Sequence, residues 1–420
     1  MNHDASAPAG DPAQILHDVL IVGGGLVGAS LAIALQGQGL QVGLVEAAPP
    51  GALPAVFDER NLSFAEATVN ALGALGVLQK LRAPAGAIRR IHISRRGDFG
   101  RSLLDAQRYG RDEFGRVVVA RDFGDALEAR LAELPQLLRY RPVRFVGLAE
   151  DDDGARAIRV ADAGGERVLR ARLLVAADGT RSGVREALGI AADEHDYGQT
   201  LFVTRLRAER APDGTAYERL DEGGPTALLP RGDGHYGLVH GVLRERADAV
   251  SAMDEAAFLA HAQDAFGWRA GRFLACGARS AYPAQRVLAQ RCTAARAVLV
   301  GNAAQTIHPI GAQGFNLGLR DALTLAELIA AARADDAAAD CGGAGLLADY
   351  QRRRAQDRER TIAFSDGLAR VTSNESPLLR PLRSLGLFAA DRLPSAQAWL
   401  VGGAMGYRGD VPALCRGARA

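Results

Sequence analysis

Three stretches of this chain place glycines, short polar side chains and carboxylates where an apolar run stops, the usual setting for a phosphorylated ligand. In 18-DVLIVGGGLVGASLAIALQGQGLQVGLVE-46 the run ends at Gly23, Gly25 and Gly28, a helical stretch leads to Gly37, and a second apolar run closes on Glu46. Gly23 permits the tight turn, Gly25 admits a pyrophosphate to the backbone, and Gly28 lets helix pack on strand, so the phosphates face a positive helix N-terminus. Glu46, about 20 residues on, is placed to accept hydrogen bonds from a ribose 2′-hydroxyl. Spacing of this kind serves FAD and NAD alike.

The second stretch, 172-RLLVAADGTRSGVREALG-189, is an apolar strand ending at Asp178 and Gly179, with Thr180, Arg181 and Ser182 opening a helix. An N-capped turn with no ligand accounts for it equally well, because Asp, Thr and Ser favour caps. The third, 301-GNAAQTIHPIGAQGFNLGLRD-321, lies between the strand 297-AVLV-300 and a helix marked by Leu317, Leu319, Leu323 and Leu325. With Gly301, Gly311, Gly314 and Gly318 in or beside this last loop, three such junctions imply one long cofactor lying across several strand ends.

In this order the three motifs resemble the FAD-dependent aromatic hydroxylases of the para-hydroxybenzoate hydroxylase type, over nearly the whole chain. Within them the chain is most similar to the ubiquinone-biosynthesis hydroxylases, in particular those acting on prenylated methoxyphenols. The finer likeness rests on 299-LVGNAAQTIHPIGAQGFNLGLRD-321, 265-AFGWRAG-271, 279-RSAYP-283 and 58-DER-60. The resemblance implies an α/β fold: a Rossmann-like FAD-binding domain of the glutathione-reductase type, an inserted α+β substrate domain built on an antiparallel sheet, and a C-terminal helical region. It also implies non-covalent FAD, NAD(P)H as reductant, and O2 as the source of an oxygen atom delivered to a polyprenylated phenol. Such chemistry belongs to the cofactor, and the protein must bind, orient and exclude water.

Residue by residue, the family's flavin contacts fall on Arg60, Arg121, Asp178, Gly179 and Asn302. Asn302 stands where most members have an Asp that holds the ribityl chain; Asn still accepts but brings no charge. In the third motif Gly311 and Gly314 keep side chains off the isoalloxazine and Pro309 stiffens the approach. The helix beginning near Phe315 and Asn316 aims its N-terminus at the N1–C2=O edge, where reduction puts negative charge. One departure bears on the loop: 310-IGAQG-314 occurs where the subgroup has I-A-G-Q-G. His308 has a claim to the flavin pocket by location, or else hydrogen-bonds backbone. His240 and Tyr236 either touch the phenol or are satisfied core groups. No residue is singled out as a catalytic base.

The elements that must position these residues fall into four parts: a leader at 1–17, the FAD-binding domain at 18–85, 116–185 and 285–345, the substrate domain at 86–115 and 186–284, and C-terminal helices at 346–420. In the substrate domain, 200-TLFVTRLRA-208, 225-PTALLPRGDG-234 and 235-HYGLVHGV-242 alternate as strands do. The leader, 1-MNHDASAPAGDPAQ-14, lacks the basic and apolar regions of a signal peptide and reads as disordered. The segment 331–345 reads as a helix end and surface loop, 346–372 as a long amphipathic helix, and 351-QRRRAQDRER-360 within it as a solvated face. The tail 376–407 reads as packing on the parent domain, with docking to lipid headgroups as the alternative for an enzyme whose substrate resides in the bilayer.

Composition agrees with this and narrows the field. The 420 residues suffice for two domains, and a net charge of +1 recruits no nucleic acid. Cys276, Cys292, Cys341 and Cys415 show neither metal-ligand spacing nor a disulfide framework, which fits a reducing cytoplasm, with the inner face of the cytoplasmic membrane as a peripheral site. A flavin halogenase is disfavoured, since no W-x-W accompanies Trp268 or Trp399 and the only lysine, Lys80, lies in a surface-helix context. A prenyl reductase would consume NAD(P)H without inserting oxygen. A non-catalytic subunit of a quinone-synthesis complex would have little use for intact glycine motifs.

Overall fold

A computed structural model describes residues 15–53, 58–151, 154–373, 385, 386, 388 and 391–417. Residues 1–14 of the expected leader lie outside them. Leu16 and His17 correct its end: they open strand β1 (Leu16–Val22), where Leu16 pairs with Arg170 and the buried His17 ring meets the Tyr140 hydroxyl at 2.9 Å.

Val19, Leu20 and Ile21 are completely buried, as a strand covered on both faces requires. It occupies the middle of a sheet ordered β18 (Thr293–Ala294), β19 (Ala297–Leu299), β11 (Gly165–Ala176), β1, β2 (Val42–Val45), β8 (Leu138–Tyr140). From β19 to β8 the strands are parallel. The antiparallel β9 (Arg144–Leu148) and β10 (Arg156–Asp162) hang on β11. Parallel strands have their C-terminal ends at one edge, so the loops after β1, β11 and β19, which are the three motifs, converge there. Helix α1 (Leu26–Ala34) carries the chain from β1 to β2.

A second sheet runs β20 (Gln305–Thr306), β17 (Ser280–Ala289), β12 (Ala192–Ala208), β15 (Tyr236–Leu243), β14 (Gly224–Pro230), β13 (Thr215–Asp221), β5 (Arg90–Arg95), β6 (Arg101–Asp105), with β16 (Phe273–Cys276) beside β12. It is antiparallel except where β13 meets β5. Its longest strand covers 17 residues, far more than the short strand expected at 200–208. β17 continues to Ala289, and β20 comes from the third motif itself, so the antiparallel sheet reaches beyond residue 284 and touches the cofactor loop directly. A three-stranded sheet of β3 (Asn61–Ala65), β7 (Gly115–Val119) and β4 (Gly86–Ile88) lies between the two. Helices α2 (Glu66–Ala74), α3 (Ala120–Leu131) and α4 (Gly183–Ala187) belong to the first unit, and α5 (Ala247–Ser251) and α6 (Glu255–Phe266) cover the second.

Helix α7 (Gly314–Asp335) crosses α1 where a Cβ on Gly318 would stand 2.9 Å from both the Gly301 Cα and a Val27 methyl. Against α7 lies α8 (Ala344–Ser373), whose 351–360 stretch is a solvated face at Arg352, Gln356, Glu359 and Arg360 but not at two positions. Arg354 and Asp357 are buried with Arg320 and Asp321 of α7. Arg320 donates to Asp357 at 2.7 and 3.1 Å, Arg354 to Asp321 at 2.7 Å, and Arg354 also pairs with Asp357 at 2.8 Å. Opposed charge at every contact offsets the desolvation that would otherwise push these side chains outward. Helix α9 (Pro394–Ala404) and the segment after it pack Val401, Met405, Val411 and Cys415 inward. That is the parent-packing arrangement for the described part of the tail; residues 374–384, 387, 389 and 390 lie outside the described residues.

Candidate active site

A cavity of about 710 Å³ joins the parallel-sheet edge to the inner face of the antiparallel sheet. At one end its wall is Gly23, Gly25, Glu46, Asp178, Gly179 and Asn302; at the other it is Ile88, Ile91, Leu104, Ala216, Leu229 and Leu400. Between them stand Arg60, Tyr217, Glu218, Tyr282 and the loop from Pro309 to Phe315.

The first end is built from backbone. Gly23 has φ +106°, and a Cβ there would lie 2.5 Å from the Ala177 carbonyl oxygen; at Gly28 it would lie 1.9 Å from the Gly23 carbonyl oxygen. Side chains are thus excluded from the turn into α1, leaving an open cradle at a helix N-terminus. Glu46 accepts from the Gly24 and Ala48 N–H groups at 2.8 and 2.7 Å, which fixes its carboxylate in the wall. Asp178 does two things at once: it accepts from the Ser182 hydroxyl and the Val184 N–H, capping α4, and it lines the cavity. Burial raises its pKa above the ordinary carboxylate value, against those hydrogen bonds. The helix cap and a place in the cavity wall therefore belong to one residue.

Arg60 is held by Asp58 at 2.8 and 2.9 Å and stacks 4.4 Å over the ring of Tyr282, whose hydroxyl donates to Asp58. Burial works against the Asp58 charge, but the Arg60 and Tyr282 hydrogen bonds outweigh it and hold its carboxyl below the usual range. Arg121 does not join this group. It is exposed, 3.2 Å from Glu59, and outside the wall, because its place at the start of α3 points it to the rim.

The third motif is where the structure most alters the sequence reading. Pro309, Gly311, Gly314 and Phe315 line the cavity, and Gly311 has φ +70°. Ala312, at the position where the subgroup has Gly, also takes a positive φ of 51°, a conformation an L-residue with a Cβ adopts only at a cost. The swapped order thus places Ala in a glycine conformation. His308 is not in the wall: Ile310 N–H donates to its Nδ1 at 3.2 Å, leaving Nε2 to face Gln199 Oε1 at 3.2 Å. Burial takes its pKa down to about 4, with Asp366 opposing, so it is a neutral brace behind the loop. Asn316 is also turned away. Its Oδ1 accepts from Ala65 N–H and the Thr68 hydroxyl, and its Nδ2 donates to the Ser63 and Ala312 carbonyls, all between 2.7 and 3.0 Å. Four bonds consume its capacity. The side chain clamps the helix N-terminus to β3 and α2, and Asn316 is not part of the cavity wall.

His240 and Tyr236 are core residues outside the wall. His240 is buried with Nδ1 2.9 Å from the Thr226 hydroxyl, and burial, aided by His261, takes its pKa down to about 3. Tyr236 packs with Leu206, Leu228 and Leu238. The residue the sequence reading missed on this sheet is Glu218, whose Oε1 accepts from Gly311 N–H at 3.3 Å. Burial pushes its pKa up to about 7 against that one hydrogen bond. An acidic side chain inside the apolar alternation of 215-TAYERLD-221 was the available signal. Arg320 and Arg408 in the wall were missed as well.

A glycine cradle with a ribose-height carboxylate, continuous with a mostly apolar chamber, fits a dinucleotide whose ring system reaches the chamber. Residues 17–365 match the family model described as FAD binding domain. The chain is 35% identical to the ubiquinone hydroxylase UbiL of Rhodospirillum rubrum, covering 98% of this chain and 96% of that protein. It is 31% identical to the 3-demethoxyubiquinol 3-hydroxylase of Escherichia coli, over 89% and 95% respectively. Among solved structures, p-nitrophenol 4-monooxygenase PnpA from Pseudomonas putida superposes with a TM-score of 0.74 at 19% identity, covering 94% of this chain and 98% of that one, which establishes a shared fold.

Proposed function

Because the chain belongs to the FAD binding domain family, as an FAD-dependent aromatic monooxygenase of the ubiquinone hydroxylase group, we propose that it hydroxylates 2-polyprenyl-6-methoxyphenol to 2-polyprenyl-6-methoxy-1,4-benzoquinol. The observation that carries this is the second end of the cavity. Ile88, Ile91, Ile93, Leu104, Leu229 and Leu400 form an apolar limb continuous with the glycine cradle, suited to an isoprenoid tail while the aromatic head stays near the Gly311 loop.

In this reading Gly23, Gly25, Gly28 and Glu46 hold the nucleotide end of FAD, and Arg60, Asp178, Gly179 and Asn302 its middle. The loop from Pro309 to Phe315 takes the ring system. Bound FAD, reduced by NAD(P)H, would supply the electrons that activate O2, the source of the oxygen atom delivered to the phenol. The chain's own residues orient the phenol and keep water out, and the N-terminus of α7 offers backbone N–H groups to negative charge. Glu218, poised near neutrality, is within this chamber to exchange a proton. No helix among the described residues is long and apolar enough to cross a membrane. A peripheral position suits a lipid-resident substrate, and half-exposed Leu393, just before α9, and Trp399 within it lie on the same segment as Leu400 of the cavity wall.

The test is mass spectrometry of quinone precursors in a deletion strain, with purified protein assayed for NAD(P)H and O2 consumption. Accumulated 2-polyprenyl-6-methoxyphenol, converted by the protein to a product one oxygen heavier, supports the assignment. Accumulated 3-demethoxyubiquinol moves the reaction to the step named for the Escherichia coli relative, and NAD(P)H oxidation without oxygen insertion replaces a hydroxylase with a reductase.

A further inference from the structure

Glu218 stands mid-strand on β13, on a face of the antiparallel sheet that is otherwise apolar around it. Its partner on β5 is Ile93, its partner on β14 is Ala227, and Ala216 precedes it by two residues, all in the cavity wall. Oε1 accepts from the Gly311 N–H at 3.3 Å, which sets the carboxyl at the head end of the chamber. Oε2 has no protein partner among the described residues, and it keeps accessible surface, so this oxygen is open to the cavity. A bare carboxylate among alkyl groups is costly; the neutral acid removes the charge and leaves one O–H in need of an acceptor. Burial takes the pKa up to about 7, with only the Gly311 hydrogen bond opposing. The other titratable groups of the wall are Arg60 before β3, Tyr217 of β13, Tyr282 of β17, Arg320 of α7, Arg408 after α9, and Glu46 and Asp178 at the cradle; none of them enters that shift. From α8, Thr361 and Phe364 reach the wall, and neither titrates. His92 of β5 pairs with Tyr217, on the opposite face of the sheet.

We propose that Glu218 determines which ring substituent the chamber accepts: as the neutral acid it donates its Oε2 hydrogen to the methoxy oxygen of the phenol. This rests on the phenol-hydroxylase reading above and deepens it. With Oε1 accepting from Gly311, the proton of the neutral acid sits on Oε2 and is directed into the chamber. An aryl methyl ether oxygen carries lone pairs and no hydrogen, so a donor matches it and a carboxylate opposes it. The alkyl groups of Ile93 and Ala227 suit the methyl group. A ring with hydrogen in place of methoxy leaves the O–H unpaired, and a site built to hydrogen-bond a substrate group discriminates strongly against the analogue that lacks it. No covalent bond changes in this contact, and the proton remains on Glu218.

The test titrates oxidised holoenzyme, without NAD(P)H, with 2-farnesyl-6-methoxyphenol and with 2-farnesylphenol, reading the change in flavin absorbance. Both probes stay neutral between pH 6 and pH 8, because a phenol ionises at about 10. With Glu218 half-protonated near pH 7, the wild type should bind the methoxyphenol about tenfold more weakly at pH 8 than at pH 6, as the donor-bearing fraction falls. Affinity for 2-farnesylphenol should change by less than about twofold. Glu218→Gln, whose amide supplies both an acceptor for Gly311 and a donor for the ring, should keep the methoxy preference at both pH values. Glu218→Leu should abolish that preference. Wild-type affinity for the methoxyphenol that stays flat or rises with pH overturns the proposal, the rise showing a carboxylate that accepts from the phenol hydroxyl. It is also overturned by a Gln variant that behaves as the Leu variant does, or by a methoxy preference that survives in Glu218→Leu. If Glu218→Leu shifts the flavin potential with no phenol present, the carboxyl serves the cofactor and the proposal falls. Equal binding of both probes to wild-type holoenzyme sinks the proposal alone; binding of neither defeats the phenol-hydroxylase reading itself.

Discussion

The two ends of the cavity are made by different means. At the cradle, the contacts come from backbone: Gly23 and Gly28 matter for the atoms they lack, and their spacing lies within one βαβ unit. At the chamber, the wall is side chain, drawn from β5, β6, β13, β14, the third-motif loop, α7, α8 and α9. A backbone site is specified by local conformation and therefore by a short motif; a side-chain site is specified by which distant strands become neighbours. Substitution should accordingly be unforgiving at the cradle and graded at the chamber.

Gly28→Val tests the first half of that contrast and carries the largest expected effect. A Cβ 1.9 Å from the Gly23 carbonyl forces α1 off β1, so the purified variant should lack flavin absorbance or fail to fold. Full FAD content would erase the distinction. Next comes Arg354→Met, behind the chamber. Removing one member of a buried charge network costs about 3–5 kcal/mol, whereas an exposed position would change urea-derived stability by roughly 0.5 kcal/mol or less.

Asn316→Asp separates loop support from cofactor contact. Loss of the Nδ2 bonds to the Ser63 and Ala312 carbonyls should cost about 2–3 kcal/mol, while the flavin potential of folded protein moves little because the side chain faces α2. A large fall in potential with unchanged stability would return Asn316 to the flavin edge.

Glu218→Gln sharpens the chamber side by pH. The Glu218 pKa of about 7 exceeds its ordinary value of 4.5, so the native state binds the proton more tightly than the unfolded chain. The stability this provides is complete below about pH 4.5 and lost as pH rises through 7. The Gln variant lacks that decline, and by pH 8 should be the more stable by about 2 kcal/mol, read by thermal unfolding across pH 5–8. Parallel profiles would show Glu218 to be freely solvated. The smallest effect belongs to Ala312→Gly. Relief of φ +51° and the greater unfolded-state entropy of glycine nearly cancel, for a gain of about 0.5 kcal/mol, measured as a small rise in Tm. A loss larger than that would mean the Ala312 methyl makes contacts that outweigh the strain.

The same contrast explains what was legible in the sequence. The three loops, their order and the parallel strands before them follow from apolar runs and glycine spacing. Asn316 and His308 lie inside the third motif, yet their side chains turn away, because proximity in sequence gives the path of the backbone but not the direction of a side chain. Arg354 looked solvated for the complementary reason. Its partner Asp321 stands 33 residues away on another helix, and no periodicity within 351–360 reveals that pairing. Glu218 needed both the register of β13 and the folding of the Gly311 loop onto it.

Lys80 ends a short 3₁₀ turn on the first unit, pairs with Glu133, and takes no part in the cavity wall. Being the sole lysine, it makes the side-chain amine chemistry of this protein single-valued. An amine-reactive dye or surface linker has one ε-amino target, so labelling stoichiometry beyond that must come from the α-amino group. A probe attached there leaves every residue of the chamber chemically untouched, giving binding measurements on tethered protein a defined point of attachment.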